Sequence, residues 1–209
     1  MQSGPTISLT FIVSFGALKG FFPILQQGFF VRIMTGSSLE QVLTEQMGIE
    51  EGYIEKRIST IFLNGRPVDN LHGTLAHDGS ILSLSAAMPG LVGATMRRKG
   101  TYASFRSAIA YREENDVGTR RKNEGLIEVK LFNLLMAELG PHFFKRGIYV
   151  RADELSDLIS PIMADLRQGR GLILFGDRPV SADAVKEILK DMGPDLIQVF
   201  VIGQKDVVP

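Results

Sequence analysis

The chain contains no cysteine. That absence removes disulfides, thiolate nucleophiles, cysteine-held iron–sulfur clusters and cysteine-rich zinc sites. Excess charge is missing too. Lys plus Arg number 23 and Asp plus Glu number 23, a formal net charge of +0. Such a balance argues against a surface tuned as a whole to nucleic acid or anionic lipid, although it leaves room for a local patch. The three histidines, His72, His77 and His142, follow no zinc-ligand spacing, and no metal site is expected. No apolar run approaches the roughly 18 residues of a spanning helix. No basic, apolar and small-residue leader opens the chain. A cytoplasmic protein without a transmembrane segment is the expectation.

Several catalytic signatures are absent as well. There is no G-x-x-x-x-G-K-[ST] loop, no G-x-G-x-x-G after a strand, and no G-x-S-x-G elbow around Ser83 or Ser85. Asp69, Asp78, Asp153 and Asp177 adjoin turns or helix starts, where a carboxylate caps backbone N–H groups for structural reasons. No cofactor and no catalytic residue are indicated.

What is present is an ordinary globular composition, 44% hydrophobic over 209 residues, enough for one large core or two small ones. Thr6–Val13 alternates as a half-buried strand, with Ile7, Leu9, Phe11 and Val13 on one face. Phe29–Met34 reads as a second strand paired with it. Ser38 is an N-cap with Gln41 as its capping-box partner, and Leu39, Val42, Leu43 and Met47 repeat at helical spacing up to Gly48. Ser59–Leu63 runs into the Asn64-Gly65 turn. Asp78-Gly79 precedes a strand over Ser80–Ala87, with Leu82, Leu84 and Ala86 on one side.

The stretch IFLNGRPVDNL, followed by LAHDGSILSLSAAMPG, resembles the second half of the ubiquitin-like sulfur-carrier and TGS-type β-grasp proteins. In those a strand ends in Asn-Gly, a short return strand follows, and an Asp-Gly turn precedes the last strand. The resemblance covers about residues 6–90 and implies a β-grasp domain. Carriers act through a free C-terminal Gly-Gly that is activated and thiolated. Here Pro89-Gly90-Leu91-Val92-Gly93 stands instead and the chain runs on to Pro209, so the fold is implied and the carrier activity is not.

Between the first two strands lies an apolar insertion, residues 16–28, where a two-residue turn would suffice. It packs inward, or else Phe21, Phe22, Leu25, Phe29 and Phe30 form a contact surface for a protein partner or a second copy. Farther on, Arg97, Arg98, Lys99, Arg120, Arg121 and Lys122 make a basic segment. With interleaved aromatics it is a weak candidate for nucleic acid, and a solvated basic face is favoured.

The last part reads as mixed α/β. Leu126–Phe132 is a strand running into a helix that ends near Gly140-Pro141. Asp153–Ile159 is one helix and Ser160-Pro161 starts another. Gly171–Gly176 and Leu196–Ile202 are strands with few polar positions, expected to be buried on both faces. Between them Ser181 caps a helix carrying Val185, Ile188, Leu189 and Met192, stopped by Gly193-Pro194. Arg178, next to that helix start, is an anion candidate.

The expected fold class is α+β: a β-grasp domain over residues 1–96, a basic linker over 97–124 and a small α/β domain over 125–209. The expected function is non-enzymatic binding or assembly through the β-grasp domain and apolar loop. The alternatives are an enzyme or cofactor-binding accessory protein with a pocket between the two domains, and an RNA-binding protein using the basic linker.

Overall fold

The structure, a computed structural model, describes residues 7–87, 90–98, 100, 109–111 and 122–204. It is a mixed α+β architecture. Along the chain come β1 (Ser8–Ser14), a 3-10 turn (Ala17–Phe21) running into α1 (Phe22–Gln27), and β2 (Phe29–Met34). Then follow α2 (Leu39–Gln41), continued by a π-helical turn (Val42–Gln46), α3 (Glu51–Arg57), β3 (Thr60–Leu63), β4 (Arg66–Pro67) and β5 (Ile81–Ser85). Next are α4 (Gly90–Met96), β6 (Glu124–Phe132), α5 (Leu134–Arg146), β7 (Ile148–Arg151) and α6 (Ala152–Arg167). The chain closes with β8 (Gly171–Phe175), β9 (Arg178–Pro179), α7 (Ala182–Met192) and β10 (Leu196–Gln204).

These elements form two compact units, Met1–Phe29 with Met136–Pro209, and Phe30–Leu135. The division expected from the sequence, 1–96 and 125–209 about a linker, does not coincide with them. The reason is physical. Alternation marks Thr6–Val13 as a half-buried strand but says nothing about which strand it pairs with. In the structure β1 pairs in parallel with β10 and antiparallel with β8, so the first strand belongs with the end of the chain.

In the first unit the strand order is β7-β10-β1-β8-β9. Leu9, Phe11 and Val13 of β1, Ile148 and Val150 of β7, Ile173 of β8, and Ile197, Val199 and Val201 of β10 are buried on one face. The 3-10 turn touches β1 and β10 on that face, and α6 touches β7 and β8. Phe21 sits 5.2 Å from Phe11 and 6.1 Å from Phe144, and Phe29 lies 5.0 Å from Phe143, ring centre to ring centre. The apolar insertion is therefore the floor of this unit's core.

Two helices run through prolines expected to break them. α5 continues past Pro141 to Arg146, and α6 continues past Pro161. Pro161 is exposed, and the Ser160 hydroxyl donates to the Ser156 carbonyl at 3.0 Å. Its cost falls on the solvent side. Leu155, Ile159, Ile162, Met163 and Leu166 form one buried stripe across the proline, and burying that stripe outweighs the lost backbone bond.

In the second unit the order is β4-β3-β5-β6-β2, with β5 and β6 parallel and β3 antiparallel to both β4 and β5. The Asn64-Gly65 turn has both residues at positive φ, 51° and 75°, as a tight hairpin with this twist demands. Ser38 caps α2 reciprocally with Gln41. The Asp78 carboxylate accepts the Leu126 N–H at 2.7 Å, pinning the turn before β5 to the start of β6.

Candidate functional site

The insertion candidates turn inward. Phe21, Leu25 and Phe29 are each 0% exposed, and Phe22 and Phe30 are half-buried. Three of the five are thus sealed into a core and have no surface to offer a partner. The inward packing weighed at the sequence level is what the chain adopts.

The described basic residues fall in both units. Lys99, Arg120 and Arg121 lie outside the described residues. Arg97 and Lys122 are exposed in the second unit, whereas Arg178 is exposed on β9 of the first. Arg98 is a fastener: its side chain is only 6% exposed and lies 3.3 Å from Glu55. Its Nη1 donates to the Ile58 carbonyl at 3.5 Å, and its backbone N–H donates to the Ser59 carbonyl at 2.7 Å. A guanidinium so tied holds the end of α4 against α3 and β3.

Glutamates 40, 45, 50 and 51 surround an open depression of about 460 Å³ at the π-helical turn. Glu40 is already paired with His72, Nδ1 to Oε2, at 2.5 Å. Among the described residues no group of three or more His, Cys, Asp or Glu is placed to hold a metal ion, and no helix is long and apolar enough to cross a membrane.

A different surface stands out in the first unit. Because strand side chains alternate, the residues between the buried positions of β1, β8 and β10 all face outward. In register, Leu172, Ile12 and Ile202 form one row across three strands, and Leu174, Thr10 and Phe200 form the next. Leu172 is 40% exposed and Ile202 39%. The Phe200 ring extends its row over Gly147, where an added Cβ would come within 2.5 Å of it. None of the outward positions of β1, β8 and β10 carries a charge. Outward faces of solvated sheets are normally polar, whereas strands apolar on both sides belong to sheets covered on both sides.

Sequence reasoning missed this face although its signal was legible. Gly171–Gly176 and Leu196–Ile202 were expected to be buried on both faces; they are buried on one. Apart from Gln198 the two strands are apolar, but the described residues supply a cover for a single side.

No family model, no curated protein and no solved structure matches this chain.

Proposed function

We propose that the chain is a non-enzymatic binding or assembly protein whose contact surface is the outward face of β1, β8 and β10. One observation carries the reading: two adjacent cross-strand rows of almost wholly apolar side chains, exposed at Leu172 and Ile202 and half-buried at Ile12, Leu174, Thr10 and Phe200, on a face of β1, β8 and β10 free of charge. Monomeric proteins seldom leave a contiguous patch beyond a few hundred Å² in water, and larger ones mark interaction sites. The contact surface thus moves from the apolar insertion to the opposite side of the sheet that the insertion supports.

The second unit, on this reading, is a permuted β-grasp. Its strand–helix–strand–turn–strand order follows the ubiquitin-like resemblance from β2 to β5. The place beside β2 expected for Thr6–Val13 is taken by β6, which arrives last and runs parallel to β5. This is a likeness of arrangement and carries no carrier chemistry with it.

The test is a photo-crosslinking residue at Ile202, with a second at exposed Leu134 of α5 as the control. Irradiation of the intact chain in its own host should give one discrete adduct at Ile202 and none at Leu134. Absence of any adduct at Ile202 would remove the reading.

A further inference from the structure

Strand for strand, the two units repeat one another. Ile61–Val68 and Ile173–Val180 both end in Arg-Pro-Val, and three shared residues alone would mean little. The register says more. In the second unit Phe62 lies opposite Pro67 and Leu63 opposite Arg66; in the first Leu174 lies opposite Pro179 and Phe175 opposite Arg178. The Val68 N–H donates to the Ile61 carbonyl, and the Val180 N–H to the Ile173 carbonyl, both at 2.9 Å.

The match continues inward. β3 is antiparallel to β5 with Leu63 opposite Leu82, as β8 is antiparallel to β1 with Phe175 opposite Leu9. β5 is parallel to β6 with Leu82 and Leu84 beside Val129 and Leu131. In the same way β1 is parallel to β10, with Leu9 and Phe11 beside Val199 and Val201. All eight of these paired residues, Leu82 to Val201, are buried. The ladder ends coincide too. Asn64 donates to the Ile81 carbonyl at 2.8 Å and Gly176 to that of Ser8 at 2.9 Å; Glu128 donates to the Ser80 carbonyl at 2.9 Å and Gln198 to that of Ile7 at 3.1 Å.

The copies differ in where one strand comes from. The second unit draws β2, β3, β4, β5 and β6 from one continuous stretch of chain. The C-terminal stretch supplies β7, β8, β9 and β10, passing from β9 through α7 to β10, and among its described residues no strand answers to β5. That place, between β8 and β10, is filled by β1.

We infer that the C-terminal stretch is a strand-deficient copy of the second unit, and that the slot between β8 and β10 is a binding site for one extended segment. Residues 8–14 fill it here, and the same segment offered as a separate peptide fits it equally. The slot has the chemistry of strand addition, in which main-chain hydrogen bonds hold the segment and alternate side chains select it. Its two walls pair with β1 in opposite senses, β8 antiparallel and β10 parallel, so an empty slot would leave main-chain groups unpaired on both sides. Leu9, Phe11 and Val13, at most 1% exposed, are the selecting side chains. This site is separate from the outward face of the same sheet.

Phe15 and Gly16 form an exposed turn after β1, and a Cβ added at Gly16 would meet only Ser14 Oγ, at 4.0 Å. A protease site inserted between them allows β1 to be severed in the folded full chain. The severed piece should stay with the chain on size exclusion. Refolding the cut chain from urea beside an excess of labelled peptide Ile7–Phe15 should load one label per chain. The same peptide carrying Phe11→Asp should load none. A cut chain that takes up no label, or one whose β8 and β10 amides stay protected after β1 has left, would overturn the inference.

Hydrogen exchange on the uncut chain gives a second readout. Phe11→Asp should strip protection from β8 and β10 and leave β3, β5 and β6 protected. The matched substitution Leu84→Asp should do the reverse. Loss of both sheets together in either variant, or protection of β8 and β10 undiminished by Phe11→Asp, would contradict a slot completed by β1.

Discussion

At Gly125 a methyl group has no room. An added Cβ would stand 2.6 Å from Thr35 Cγ2 and 2.7 Å from Asp78 Oδ1, and that Asp78 oxygen accepts the Leu126 N–H. Gly125→Ala should therefore destabilise the chain by about 1–3 kcal/mol through overpacking, read as a lower urea midpoint. Arg98 makes a second case. If it were an anion-binding surface residue, its loss would weaken binding and leave folding alone. As a buried fastener paired with Glu55, Arg98→Ala should instead lower stability by about 1–3 kcal/mol, measured by the same denaturation. Phe21→Ala should cost about 3–5 kcal/mol, since a ring at 0% exposure leaves a cavity behind. Neither role was legible in the string, because a basic or aromatic residue looks the same in a sequence whether its neighbours enclose it or leave it in water.

Local signals were legible wherever the chain alone decides them. Ser181 caps α7 by accepting the Ala184 N–H at 3.1 Å, Val185 and Leu189 are buried, and Gly193 ends the helix, all as the spacing implied. Ser181→Ala should cost about 1 kcal/mol. Signals failed where packing overrides propensity. Pro161 reads as a helix start, yet α6 runs through it because its buried stripe lies on the other side. Pro161→Ala should restore a backbone donor at an exposed position and raise the thermal midpoint, a gain of up to about 3 kcal/mol. The strand pairings were illegible for a related reason. Alternation fixes a strand's two faces, and pairing is decided by distant strands competing for one ladder. β1 therefore found β10, far along the chain, rather than β2.

For the whole molecule the consequence is a chain whose two ends build one unit while its middle builds the other. The candidate surface belongs to the unit made from the ends. It joins residues of β1 to residues of β8 and β10, which lie across most of the sequence from β1, so no local motif could announce it. What the sequence did carry was the demand: β8 and β10 are largely apolar on both faces, and the described residues bury only one of them. On the proposed function, assembly covers that face.

The deciding experiment is hydroxyl-radical footprinting of side chains, comparing the gently isolated assembled chain with the dilute chain. Leu172, Phe200 and Ile202 should be oxidised readily in the dilute chain and strongly protected in the assembled form, while exposed Leu134 reacts equally in both. Equal oxidation of Leu172 and Ile202 in the two states would contradict the claim.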